Sequence, residues 1–232
     1  MSRAQPRRRR PADPVQRLIE EQIAYYRNRA GEYDATSTPP NDPFAAHADV
    51  IRAALRAFEP RGRVLELAAG TGQWTSILAE YADELTATDA APEMLALNAA
   101  KVGDPSVRYV VADAFAYEPD RSFDVVFFGF FLSHVPRARF ETFWSTVRRC
   151  LADDGRVFFV DEARHGLWDE AWVTGESGGV VERRLNDGSL HRAVKVLWPP
   201  DDLEVELRAL GWAISVRGVG PFYWGSGAPL RD

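Results

Sequence analysis

Three carboxylates, a glycine-rich turn and two histidines carry the chemistry open to this sequence. Glu66 stands near the end of the apolar run Arg63 to Leu67, which passes into Ala68-Ala69-Gly70-Thr71-Gly72-Gln73-Trp74-Thr75. Asp89 closes Leu85-Thr86-Ala87-Thr88-Asp89, and Asp113 follows the run Val107 to Val111. A glycine turn between a buried strand and a helix brings backbone close to a ligand, and the helix start offers it unpaired N–H groups. A carboxylate ending the next strand can accept from both hydroxyls of a ribose. The pattern therefore predicts a cofactor seat at Gly70 and Gly72, with Asp89 on a sugar and Met94, just past the helix-opening Pro92, against a flat base.

Two familiar cofactors fit the turn poorly. A dinucleotide fingerprint wants glycine or alanine three residues after its second glycine, where this chain has Thr75. A phosphate-cradling loop needs Gly-Lys-Ser/Thr, and no lysine lies near. The order Glu66, Ala68, Gly70, Gly72 instead resembles the first motif of the class I S-adenosylmethionine-dependent methyltransferases, with Ala68 where that family more often has glycine. The segment Tyr25-Tyr26-Arg27-Asn28-Arg29-Ala30-Gly31-Glu32-Tyr33-Asp34 is similar to the stretch that, in many small-molecule methyltransferases, folds over the cofactor and lines the substrate pocket. The resemblance spans roughly residues 45 to 226. It implies S-adenosyl-L-methionine as cofactor, held by Glu66, Ala68, Gly70, Gly72 and Trp74, by Asp89, Ala90 and Met94, by Asp113, Ala114 and Phe115 at the adenine, by Gly129 and Phe130, and by Tyr26, Arg29 and Tyr33. For each position a plainer reading stands beside this one: the tyrosines pack a helix down, and an aspartate after a strand caps a turn.

The elements that must position these residues follow from periodicity. Val15, Leu18, Ile19, Ile23 and Tyr26 recur at helical spacing over Asp13 to Ala30, and Ala45 to Phe58 reads as a second helix after the loop at Pro39, Pro40 and Pro43. From Arg63 onward strands and helices alternate, which argues a parallel sheet covered on both faces. Phe123 to Phe128 is apolar nearly throughout, as a central parallel strand is. It leads to Gly129-Phe130-Phe131-Leu132-Ser133-His134, at the carboxyl end where open α/β sheets bind ligands. A helix over Phe140 to Leu151 and a strand over Gly155 to Asp161 follow, ending near His165. Val181 to Leu185, the turn Asn186-Asp187-Gly188 and Leu190 to Leu197 read as a hairpin. The helix Asp201 to Leu210, a strand from Gly211-Trp212 to Val216 and a last strand at Phe222-Tyr223-Trp224 complete the chain. The expected fold is α/β: a Rossmann-like three-layer sandwich with a seven-stranded, mostly parallel sheet and an antiparallel last strand. The organisation expected is an arginine-rich, disordered arm over 1–12, a helical cap over 13–44, and a methyltransferase domain over 45–232 with a loop and hairpin inserted at 163–200.

Length and composition agree with one globular domain: 232 residues, 46% hydrophobic and 27% charged. A single cysteine, Cys150, excludes an internal disulfide and a cysteine-rich metal cluster; no metal is expected. No apolar run is long enough for a membrane span and the start lacks a secretory apolar segment, so a cytoplasmic protein without membrane partners is expected, a monomer or homodimer. Arginine abounds while lysine occurs only at Lys101 and Lys195, a usage pointing to a GC-rich bacterial genome. Five arginines fall in the arm; without them the body has 23 basic against 34 acidic residues, a net charge of −11. An acidic body argues against nucleic acid as substrate.

Methyl transfer from a sulfonium is an in-line displacement, so the protein chiefly holds nucleophile, methyl and sulfur collinear. A hydroxyl or amine acceptor also loses a proton, for which His134 and His165 are the available bases; a carboxylate needs none. Trp74, Phe130, Tyr26 and Tyr33 are candidates for cation–π contact with the sulfonium. The expected activity is methylation of a small molecule, at a hydroxyl or carboxylate oxygen. N-methylation, peptide methylation and cofactor binding without turnover are the alternatives.

Overall fold

A computed structural model describes residues 13–37, 41–163, 171–174 and 179–231; the arginine arm and His165 lie outside these. The helix α1 (Pro14–Arg29) is capped by the Asp13 carboxylate, which accepts from the Val15 N–H at 3.1 Å, and Pro14 occupies its first position, where no N–H is needed. A single 3-10 turn (Ala30–Glu32) and the short α2 (Tyr33–Ser37) continue it, and α3 (Ala45–Phe58) leads into the sheet.

Alternation then runs β1 (Arg63–Leu67), α4 (Thr75–Ala79), β2 (Glu84–Asp89), α5 (Pro92–Val102), β3 (Arg108–Val111), β4 (Phe123–Gly129), α6 (Phe140–Cys150) and β5 (Leu151–Glu162). The antiparallel β6 (Ala171–Trp172), β7 (Val180–Arg184) and β8 (Leu190–Val194) form a separate small sheet, followed by α7 (Pro200–Ala209), β9 (Trp212–Val219) and β10 (Phe222–Pro229). The main sheet has the order β3-β2-β1-β4-β5-β10-β9, with β10 antiparallel to both its neighbours. The seven-stranded Rossmann-like sheet is therefore as the sequence pattern implies.

The central strands β4 and β5 are buried on both faces. Phe127 and Phe158 stack on one side, and Phe128 and Phe159 on the other with Phe143 and Trp144 of α6 edge-on to Phe128. Offset and edge-to-face rings fill such layers without voids. Cys150 is fully buried here, its thiol pushed up to about 12 by burial.

Several bounds differ from those read off the sequence. Helix α4 covers only Thr75–Ala79, because the glycine turn continues to Trp74. Strand β5 starts at Leu151, since the chain pairs with Phe123 directly after α6. Strands β9 and β10 reach Val219 and Pro229, because an antiparallel pair joined by a tight turn zips along its whole length. Strand β8 stops at Val194, where the chain leaves β7 for α7.

Helix α1 lies on the β7–β8 hairpin. Tyr25 packs with Val181, Leu185 and Ala193, and Arg192 forks onto Glu21 at 2.9 and 3.0 Å. The buried Gln22 is shared between layers: its Oε1 accepts the Val194 N–H at 3.0 Å and its Nε2 donates to the His134 carbonyl at 3.2 Å. Cap and hairpin thus meet over the carboxyl ends of β1, β2 and β4.

Candidate functional site

Beneath that cap the strand ends enclose a pocket of about 720 Å3, including its mouth. Its floor is Ala68, Gly70, Asp89 to Ala91, Met94 and Ala112 to Phe115; its far wall is Gly129 to Phe131 and His134; its roof is Ile19, Gln22, Ile23, Tyr26 and Tyr33.

The glycine turn is built to bend sharply. Ala68 has φ 52°, and Phe130, at the end of β4, has φ 53°, both in the left-handed region that non-glycine residues avoid. The family's usual glycine at position 68 answers this geometry. Gly72 has φ 89°, and a Cβ there would fall 2.8 Å from the Asn98 Oδ1. Asn98, fully buried on α5, holds the turn: its Nδ2 donates to the Thr75 hydroxyl at 2.8 Å and reaches the Gly70 carbonyl at 3.3 Å, while its Oδ1 accepts from Tyr109 at 3.1 Å. Thr75 in turn donates to the Glu66 Oε2 at 2.6 Å. Glu66 is 1% exposed and its carboxyl is pushed up to about 8, by burial first, against the Thr75 bond.

Asp89 joins the turn to α5. One carboxylate oxygen accepts the Gly70 N–H at 2.9 Å, the other the Ala91 N–H at 2.8 Å. Burial raises its pKa, opposed by these backbone donors. A carboxylate has about four acceptor positions, so beside the Ala91, Gly70 and Ala90 donors some acceptor capacity remains for a ligand hydroxyl. Asp113 accepts the Phe115 N–H at 2.9 Å, a local cap, and also lines the pocket.

At the acceptor end, His134 closes a short 3-10 turn (Leu132–His134) and is 5% exposed. Its Nδ1 lies 2.7 Å from the Val194 carbonyl, which can only accept, so Nδ1 carries the proton; Nε2 then accepts from the Tyr26 hydroxyl at 2.7 Å. Burial, then the charges of Lys195 and Arg183, hold its pKa well below the usual histidine value. Burial raises the Tyr26 phenol well above its ordinary range. Histidine and tyrosine are therefore both neutral and bonded to each other.

Four of the residues singled out from the sequence stand behind the cavity wall. Glu66 lies under the turn; Gly72 faces Asn98; Trp74 sits behind Gly129, where a Cβ would fall 2.7 Å from its Nε1; and Arg29 covers the outer face of Tyr33, 4.7 Å from the ring centre, donating to Thr36 at 2.9 Å. Sequence reasoning passed over Gln22, Asn98 and Phe131. Ile19 and Ile23 share the helix face of Tyr26, a spacing that could have marked them as roof residues; nothing local marks Asn98. Among the described residues no cluster of metal-ligating side chains occurs, and no helix is long and apolar enough to cross a membrane.

A family model of the methyltransferase domain matches residues 64–155, which contain the turn, Asp89, Asp113 and His134. The complex of DhpI with S-adenosylhomocysteine (SAH) is 44% identical, covers 93% of this chain and 98% of its own, and superposes with a TM-score of 0.79. The chain belongs to the class I S-adenosylmethionine-dependent methyltransferases. A complex of DhpI with S-adenosylmethionine (SAM) and HEP matches with a TM-score of 0.78 at 43% identity over 91% of this chain and 98% of that one. An uncharacterized methyltransferase of Staphylococcus carnosus is 30% identical over 140 residues, 59% of this methyltransferase chain; the chain spans 65% of that relative's length. The cofactor is thus SAM, and the pocket suits it: Asp89 faces the pocket with acceptor capacity left, a Cβ at Gly70 would enter open space, and Met94 offers an apolar face.

Proposed function

We propose that this methyltransferase transfers the methyl of SAM to an acidic oxygen of a small molecule, a carboxylate-type acceptor. The observation that carries this reading is the state of the acceptor end. The imidazole of His134 has both nitrogens engaged and is held neutral, so among the described residues it offers no free base to an acceptor, and the nearby Lys195 ammonium is paired with Glu162 at 2.5 Å. An ionised acid needs no deprotonation; a phenol or alkyl hydroxyl needs a base, and the His134 Nε2 is already occupied by Tyr26.

When bound, the cofactor supplies an electrophilic methyl on a sulfonium. An acceptor oxygen attacking that carbon would form its C–O bond as the C–S bond breaks, the electron pair passing to sulfur, to leave an ester and a neutral thioether. The chain's residues orient the partners. Asp89 would take the ribose hydroxyls, Asp113 to Phe115 the adenine, and the backbone of Ala68 to Gly72 the rest of the cofactor. Tyr26, fixed by His134, and Phe130 shape the wall beside the methyl, and a pocket closed by α1 keeps water out. Glu66, Trp74 and Arg29 act through the walls they support. His165 lies outside the described residues and has no place in this scheme. The DhpI complex with both SAM and HEP supports a site of this shape holding cofactor and a further molecule together.

The test is incubation with methyl-labelled SAM and a metabolite extract fractionated into acids, phenols and amines. Label is expected in a base-labile ester from the acid fraction. Label in an amine or a base-stable ether would reject this reading.

A further inference from the structure

The segment ending in Tyr33-Asp34 contributes one residue without a role so far. Asp34, in α2, follows Tyr33 of the pocket roof. Its Oδ1 accepts the Thr71 hydroxyl at 2.5 Å and its Oδ2 the Lys101 ammonium at 2.5 Å, while Lys101 also reaches Thr71 at 3.4 Å. Thr71 lies between the two glycines of the cofactor turn and is 2% exposed. Lys101, on the last turn of α5, is one of only two lysines among 28 basic residues.

The cap is fastened in two chemically different ways. Over the acceptor end it is held by the buried amide of Gln22 and by Tyr26 on His134. Over the adenosine end, where Ala30, Tyr26 and Tyr33 pack on Ala91 and Met94, it is held by charge: Arg27 on Glu93 at the start of α5, and Asp34 on Lys101 and Thr71 at its end. The side chains of Asp34 and Lys101 are 47% and 38% exposed. A partly solvated ion pair weakens with salt and breaks more readily than a buried amide bridge.

We infer that Asp34 is a positioning residue: by joining the Tyr33 roof to the Gly70-Thr71-Gly72 turn it sets the width of the cofactor slot, and opening of the Asp34–Thr71–Lys101 contact governs release of the demethylated cofactor. The inference rests on the cofactor reading of the pocket. Lifting residues 30–37 uncovers Met94 and the turn together while the Gln22 bridge stays closed, so the adenosine end opens first.

The deciding measurement is the dissociation rate of SAH from the full-length protein, followed by chase with excess SAM, for wild type, Asp34→Asn, Thr71→Val and Thr71→Ser. Asp34→Asn is expected to raise the dissociation rate about tenfold and Thr71→Val several-fold, with association rates within about twofold. Thr71→Ser, which keeps the hydroxyl, should release at the wild-type rate. Wild-type release should accelerate with added salt, and Asp34→Asn release should do so less steeply, only the Arg27–Glu93 pair remaining to be screened. Because Thr71→Val removes only one hydroxyl, it decides the matter if Asp34→Asn folds poorly. Wild-type dissociation rates in both Asp34→Asn and Thr71→Val, or losses of affinity carried wholly by association, would overturn the inference. Failure of the wild type to bind SAH at all would instead overturn the cofactor reading on which it rests.

Discussion

At the scale of single residues, Asp89 and His134 do more than their sequence positions disclose. Asp89 spends part of its acceptor capacity on Gly70 and Ala91 before any ligand arrives. Asp89→Ala therefore loses both the ribose bonds and the brace on the turn, and SAH affinity measured by calorimetry should fall by about 2–4 kcal/mol. An unchanged affinity would remove Asp89 from the ribose. The state of His134 sets a pH expectation. Its pKa lies well below the usual value, so the single-turnover rate on an acid substrate should show no inflection from His134 near 6.5. His134→Gln should cost less than about two decades in rate, the low edge of general-base loss. A pH limb near 6.5 that vanishes in the variant would make His134 the base.

At the scale of elements, the glycine turn is where local strain and function meet. Ala68 at φ 52° is strained, and Ala68→Gly should raise stability by about 1 kcal/mol in chemical denaturation, as relief of left-handed strain outweighs the added freedom of the unfolded chain. Gly72→Ala acts in the opposite direction: a Cβ 2.8 Å from Asn98 at φ 89° must displace the α5 side chain that braces the turn, and both stability and SAH affinity should drop. The turn was legible from Gly70 and Gly72 because left-handed backbone, φ 53° and 89°, favours glycine. Asn98 was not, since an asparagine in an apolar helical pattern carries no local sign that its amide reaches Gly70 and Thr75.

At the scale of the whole molecule, buried acids couple stability to pH. Glu66 is pushed up to about 8 and Asp161 to about 6, burial being the leading cause for both. Each binds its proton more tightly folded than unfolded, so its contribution is complete below the unfolded pKa near 4 and is lost as pH rises through the folded value. The melting temperature should therefore fall between about pH 4 and 8 from these two groups, and Glu66→Gln should flatten the upper part of that slope. A steeper slope in the variant would refute the assignment. The acidic body carries a further expectation: a chain lacking residues 1–12 should retain methyl transfer to its small-molecule acceptor and show no binding to DNA or RNA by mobility shift.

The sequence by itself determined the sheet, the turn and the three strand-end carboxylates, because alternating apolar runs, glycines and terminal acids are local signals repeated along the chain. It did not determine what faces what across the pocket. Whether Trp74 meets the cofactor or stands behind Gly129, whether His134 presents a free nitrogen or one already given to Tyr26, and which residue of the cap touches the turn all depend on contacts between segments tens to more than a hundred residues apart. Those contacts are set by packing of α1 against β8 and by the crossing of the cap over α5, and only the tertiary structure fixes them.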